Sequence, residues 1–309
     1  MKDKRQFWEL FFLILIILLA AFVRLWRLDS TPMIIDEVAN LRDITAMLSW
    51  QSGFYPADFG WDYSQATLLY YPTILNARIL NTIPNILTLR LTSILFSLLA
   101  LIPFYFLVKE YANMIFALGI TLLFAVNPFY LHFSRVGWTT IYVVSLGLYL
   151  IWFLRIFLKN GCYLWLILAG FMAGIILYGY RSGEVYIFAG FLYLIYISAT
   201  TDHNPKRIFL NLSIFTAIFV LTSIPWLLQI GKNWELYNLR QRVVNVSSIQ
   251  RPYHGLNQEG DILKYQTITS VKSWIFLGAV DGGGIENPRY LPLKDPPVNI
   301  VIRILFRPD

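Results

Sequence analysis

The chain has 309 residues, of which 57% are hydrophobic, 17% aromatic and only 14% charged, with a mean hydropathy of +0.57. A soluble domain carries about 25% charged residues, so too few charges are present to coat a globule. Soluble, disordered, fibrous and disulfide-scaffold classes are excluded. The net charge of +7 does not point to nucleic acid, because Lys and Arg punctuate apolar stretches instead of forming a basic run.

The expected class is an all-α polytopic membrane protein. Lys2, Lys4 and Arg5 precede an apolar run from Leu10 to Val23, and Arg24 and Arg27 follow it where a cleavage site would need small residues. That pattern reads as an uncleaved first span rather than a signal peptide. Crossing the hydrocarbon core takes about 20 apolar residues. Seven stretches qualify, at roughly 8–28, 91–108, 114–131, 139–157, 163–180, 185–200 and 208–228. They must be helices, since lipid satisfies no backbone polar group.

With the N-terminus cytoplasmic, Lys109, Arg155, Lys159, Lys206 and Arg207 all fall on the cytoplasmic side. Residues 66–83, interrupted by Pro72, Asn76, Arg78 and Asn81, would reverse that order if counted as a span. They read as an interfacial or re-entrant helix. The expected organisation is a transmembrane catalytic module over 1–228, with a first outer loop at 29–90 holding amphipathic juxtamembrane helices. An outer-face segment follows at 229–297, and 298–309 reads as the start of an eighth span cut short. Thirteen of the eighteen acidic residues lie in the outer segments, so chemistry is expected on the outer face.

Candidate residues follow from that placement. Asp36 and Glu37 sit just after the first span, where desolvation and nearby arginines tune carboxylate acidity. A general base needs such tuning, although Asp36 would equally serve as a helix N-cap. Val38, Leu41, Ile44, Met47 and Leu48 recur at helical spacing, giving an amphipathic interfacial helix. Arg135 and Arg181 each end a span on the outer side, against the charge bias. They read as guanidinium groups aimed at a phosphate, as side chains snorkelling to headgroups or as partners of Glu184. His132, alone beside Arg135, reads as a structural residue, and no His/Cys set has zinc spacing. The single cysteine, Cys162, is expected as a buried thiol.

An ordered set of motifs then carries a resemblance. Arg24-Leu25-Trp26-Arg27-Leu28-Asp29 leads to Pro32 and to Asp36-Glu37. Leu69-Tyr70-Tyr71 and a span opening Leu89-Arg90-Leu91 come next. Asn127-Pro128-Phe129-Tyr130-Leu131-His132-Phe133-Ser134-Arg135-Val136-Gly137 follows, then Ala169-Gly170 and Tyr178-Gly179-Tyr180-Arg181-Ser182-Gly183. Over about 1–250 this resembles the bacterial and archaeal members of glycosyltransferase family 39. These are relatives of protein O-mannosyltransferases and of the aminoarabinose transferase of lipid A, with the GT-C fold.

The resemblance implies transfer of a sugar from a polyprenyl-phosphate donor to an acceptor on the extracytoplasmic face, with inversion. Asp36 would activate the acceptor, and Glu37 would position Asp36 or the substrate. Arg135 and Arg181 would hold the phosphate, joined by Arg240 or Arg242. No cofactor is required, because one phosphate leaves; a divalent cation stays compatible. The partners are that lipid-linked donor, an acceptor that is protein, lipid or polysaccharide, and membrane lipids.

Two departures set the chain apart from aminoarabinose transferases: Gly137-Trp138-Thr139-Thr140 lacks their second acidic residue, and Tyr70-Tyr71-Pro72 lacks their Glu. Neither their metal ligands nor their substrate is carried over. The rival readings are a lipid-binding scaffold or transporter, in which the arginines hold an anionic lipid, and an inactive truncated transferase.

Overall fold

The computed structural model describes residues 2–48, 70–179, 182–201, 205–232 and 234. Arg181, Arg240, Arg242, most of the 229–297 segment and the expected eighth span lie outside the described residues, which are helical and contain no strand. The helices in chain order are α1 (Lys2–Leu25), α2 (Ile35–Leu48), α3 (Tyr71–Ile79), α4 (Ile86–Leu99) and α5 (Leu101–Lys109). They continue as α6 (Met114–Val126), α7 (Pro128–Arg135), α8 (Thr140–Asn160), α9 (Tyr163–Ile176), α10 (Gly183–Thr201) and α11 (Pro205–Lys232).

Four stretches are long and apolar enough to cross a membrane, Gln6–Leu25, Ile86–Lys109, Thr140–Asn160 and Pro205–Lys232. A fifth exists if α6 and α7, bent by 53°, count as one span. This is a multi-pass membrane protein. The two other expected spans are shorter apolar helices, Tyr163–Ile176 and Gly183–Ser198, so length and composition support four or five of the seven. The 66–83 region yields α3, whose 9 residues are too few to span.

Local chemistry explains the breaks. The α6–α7 bend falls at Asn127-Pro128: the Asn127 side chain accepts from the Tyr130 amide at 3.1 Å, and Pro128 occupies the first helical position. An N-cap followed by proline starts a new helix. Residues 132–135 form the last turn of α7. Pro103 lies in α5 and has no amide proton to give Leu99, four residues back. The hydroxyl of Tyr149 on α8 donates to that Leu99 carbonyl at 3.2 Å. Gly161, at φ 66°, closes α8 in the left-handed conformation and returns its amide to Phe157. Cys162 follows at the N-cap of α9 and is exposed, not buried, because it sits at a helix end beyond the packed bundle.

The core runs along α8. Tyr142, Leu150 and Leu154 there meet Ala169, Ala173 and Ile176 of α9, with Phe215 of α11 behind. Gly170 and Gly174 allow α9 and α11 into close contact: a Cβ at Gly174 would lie 2.5 Å from Cβ of Thr222, and one at Gly170 2.9 Å from the Phe215 carbonyl oxygen. Helix α4 buries an unusual share of polar side chains. Thr88, Arg90, Thr92, Ser93 and Ser97 lie inward beside Leu89 and Ile94, while Leu87, Leu95 and Leu99 face outward, as suits a helix whose outer surroundings are lipid. At the end carrying Lys109 and Asn160, charges tie the helices together. Lys109 pairs with Glu9 of α1, and Glu110 pairs with Arg155 and with Lys159, the latter at 2.7 Å.

Candidate active site

The opposite end, where α1 stops, holds the other cluster of charge. Here α2 starts at Ile35, and Glu37 accepts from the Ile34 amide at 3.1 Å through Oε2. That is the backward half of a capping box, so Glu37 takes the capping role considered for Asp36. The inward face of α2 also differs from expectation. Glu37, Asn40, Ile44 and Met47 are buried, whereas Val38 and Leu48 are exposed. The first two turns therefore bury polar side chains, and only the later turns bury apolar ones.

Arg90 of α4 is the partner of Glu37. Its Nε donates to Oε1 at 2.7 Å and its Nη2 to Oε2 at 2.8 Å, a bidentate pair. The side chains are 4% and 0% exposed. Nη1 donates to the carbonyls of Leu28 and Thr31 at 3.0 and 2.9 Å, and Nη2 also to that of Pro32 at 3.1 Å. All five guanidinium protons are thereby used. Glu37 Oε1 further accepts from the Gly137 amide at 2.9 Å, so its four acceptor positions are filled as well. Burial of both charges is tolerated because each is fully hydrogen-bonded. No acceptor site on Glu37 remains for a substrate.

Arg135 ends α7 beside this pair. Its Nη2 donates to the carbonyls of Trp26 and Arg27 at 2.8 and 3.0 Å and to the Thr31 hydroxyl at 3.2 Å. It thus caps the carbonyl end of α1, where a cation meets the negative end of the helix dipole. Arg27 adopts φ 49°, the left-handed kink that turns the chain back after α1. Thr31 joins both arginines, taking Arg90 on its carbonyl and Arg135 on its hydroxyl. Nε of Arg135 is buried without a partner.

Of the expected site residues, Asp36 is half-buried in the first turn of α2, Glu37 is buried against Arg90, and Arg135 precedes by two residues the Gly137 that Glu37 binds. Arg181, Arg240 and Arg242 lie outside the described residues. His132 packs against the Phe133 ring, 5.4 Å between centroids. Among the described residues no group of three or more His, Cys, Asp or Glu side chains comes together to hold a metal.

Arg90 and Asn40 are the residues that the sequence reading passed over. The signal for Arg90 was an arginine one turn inside an apolar helix, which requires a buried partner.

Several spans, a fully bonded buried charge pair at one end and an arginine capping the end of α1 beside it describe a membrane protein with a polar cluster at one membrane boundary. The family model for dolichyl-phosphate-mannose-protein mannosyltransferase matches residues 68–226, about half of the chain, and the chain belongs to that family. It is a membrane glycosyltransferase of the mannosyltransferase type, in a family that uses polyprenyl-phosphate-linked sugar donors. No curated protein matches the chain, and neither does any solved structure.

Proposed function

We propose that the chain transfers a sugar from a polyprenyl-phosphate donor to an acceptor hydroxyl on the extracytoplasmic face, with inversion at the anomeric carbon. It does so as a seven-span GT-C-type transferase with a cytoplasmic N-terminus. Asp36 takes the acceptor's proton while the acceptor oxygen attacks the anomeric carbon. The bond from that carbon to the phosphate oxygen breaks, and the phosphate leaves with the electron pair. Guanidinium groups stabilise the charge that develops there.

Arg135 supplies positive charge near this phosphate, with Arg181 as the second cation and Arg240 or Arg242 as further ones. Glu37 acts on Asp36 through the backbone, as a positioning residue. We assign no cofactor to the step, since the departing group bears a single phosphate; a divalent ion at that phosphate is compatible with it.

The observation that carries this reading is the bond that ties the turn of α2 bearing Asp36 to the turn that follows Arg135. The chain runs directly from Asp36 to Glu37, which holds Gly137, two residues after Arg135, at 2.9 Å. The test supplies polyprenyl-phosphate mannose to membranes containing the protein and compares wild type with Asp36→Asn. Loss of a general base lowers the rate by roughly 10²–10⁴-fold. Transfer at full rate by Asp36→Asn overturns the assignment. Absence of transfer by wild type from any polyprenyl-phosphate sugar favours a lipid-binding scaffold instead.

A further inference from the structure

The bond between Glu37 and Gly137 has a counterpart on the other side of the same glycine. The Asn40 side-chain amide donates to the Gly137 carbonyl at 2.8 Å. Residues three apart on α2 thus hold both peptide groups of one residue in the α7–α8 turn. Gly137 itself is fixed by sterics, since a Cβ there would lie 2.4 Å from the Leu89 side chain. Asn40 works in this way only with its amide in one orientation. Flipped, it would present an oxygen to the Gly137 carbonyl. The Tyr70 hydroxyl sets the orientation by donating to Asn40 Oδ1 at 2.7 Å. Tyr70 has one proton to give, and it is 2% exposed while Asn40 is 5% exposed.

We infer that Tyr70 and Asn40 are positioning residues of the transferase, which fix the α7–α8 turn, and with it Arg135, against the Asp36 turn of α2. This rests on the proposed roles of Asp36 and Arg135. Asp36, Asn40 and Asp43 are spaced four and then three residues apart and so share one face of α2. The Tyr70 hydroxyl meets that face. Burial, and next the Asp43 carboxylate, which also lies within hydrogen-bond reach of the phenol, push its pKa well above the usual phenol range. A misplacement of about 1 Å between reacting groups can cost on the order of 100-fold in rate. That sensitivity is what gives a distant hydroxyl an effect on the reaction.

The experiment measures kcat and KM for a polyprenyl-phosphate sugar with Tyr70→Phe, Asn40→Leu, the double variant and Asp36→Asn, in membranes containing the full chain. Elution profile and melting temperature in detergent are recorded for each, so that rates refer to folded protein. Tyr70→Phe keeps the ring and loses only the proton. We expect its kcat per folded molecule to fall about tenfold or more, with KM changed by less than about threefold. The double variant should be no slower than Asn40→Leu alone, because both act through one link.

Wild-type kcat in Tyr70→Phe beside an inactive Asp36→Asn overturns this inference alone. So do losses that multiply in the double variant, or a rate loss wholly accounted for by unfolded protein. Full activity in Asp36→Asn removes the underlying reading and this inference together.

Discussion

Two seams of the bundle are built on opposite principles. Where α2 and the 28–32 strap meet α4, helices are joined by directed bonds from charged and polar groups, with Arg90 and Glu37 at the hub. Where α9 meets α11, the helices are joined by closeness, with Gly170 and Gly174 against Phe215, Ile218 and Thr222. In lipid, helices gain little from burying apolar surface, so small residues and hydrogen bonds are the two available means of holding them together. Small residues fix a distance between axes and tolerate sliding. Directed bonds also fix orientation, which a reaction centre needs. The polar seam lies at the end that carries the proposed site residues Asp36 and Arg135.

The comparison breaks most visibly at Arg90. Arg90→Met leaves the buried Glu37 charge unpaired and strands the carbonyls of Leu28, Thr31 and Pro32. Removing one member of a buried ion pair costs about 3–5 kcal/mol. Thermal unfolding in detergent should show this as the largest single loss, accompanied by loss of sugar transfer. Replacing both partners by apolar side chains often restores stability where a pair stands alone. Here Glu37→Met/Arg90→Met should recover less than half of the loss, because the Ile34 and Gly137 amides and three carbonyls still lack partners. Full recovery would show that the pair is isolated and that the seam owes little to its branches.

The apolar seam answers differently. Gly174→Leu places carbon where Thr222 and the Phe219 carbonyl already sit, and overpacking of this kind costs about 1–3 kcal/mol. The melting temperature should fall by less than in Arg90→Met. The rate per folded molecule should fall far less than in Arg90→Met, since nothing at α2, α4 or the α7–α8 turn is touched. A comparable drop in kcat without a drop in folded protein would show the two seams to be coupled.

The same contrast governs what could be seen in the sequence. Apolar length and flanking charge are local properties, so the membrane class and the helices of the spans were legible from composition and periodicity. Gly137 and Gly170 stood within the motifs that carried the resemblance, although the closeness they permit is visible only between helices. Partners at long range were not legible. Glu37 and Arg90 are 53 positions apart, Asn40 and Gly137 97 apart, and no local pattern links them.

Arg135 was read as a phosphate ligand because its charge opposed the bias of the outer loops. Much of that charge is spent on the carbonyl end of α1, a demand that arises only once α1 stops and α7 crosses it. Asp36 and Glu37 looked alike in sequence. Helical geometry separates them, turning one into the bundle and leaving the other half-buried at its edge.

The smallest effect tests whether a directed bond matters when it lies outside the site. Tyr149 donates to the Leu99 carbonyl at 3.2 Å, the group deprived of its helical partner by Pro103. Tyr149→Phe should cost about 0.5–1.5 kcal/mol, the usual range for one interhelical hydrogen bond in lipid, read as a small downward shift in melting temperature with transfer unchanged. Pro103→Ala supplies an amide proton at the position that pairs with Leu99 in an unbroken helix. In that background the carbonyl no longer depends on Tyr149, so adding Tyr149→Phe should shift the melting temperature by far less. A double-mutant cycle isolates this coupling from other effects of either substitution. Equal shifts in both backgrounds would mean that the phenol contributes by packing against Trp152 and Phe153 and that the broken helix needs no donor from α8.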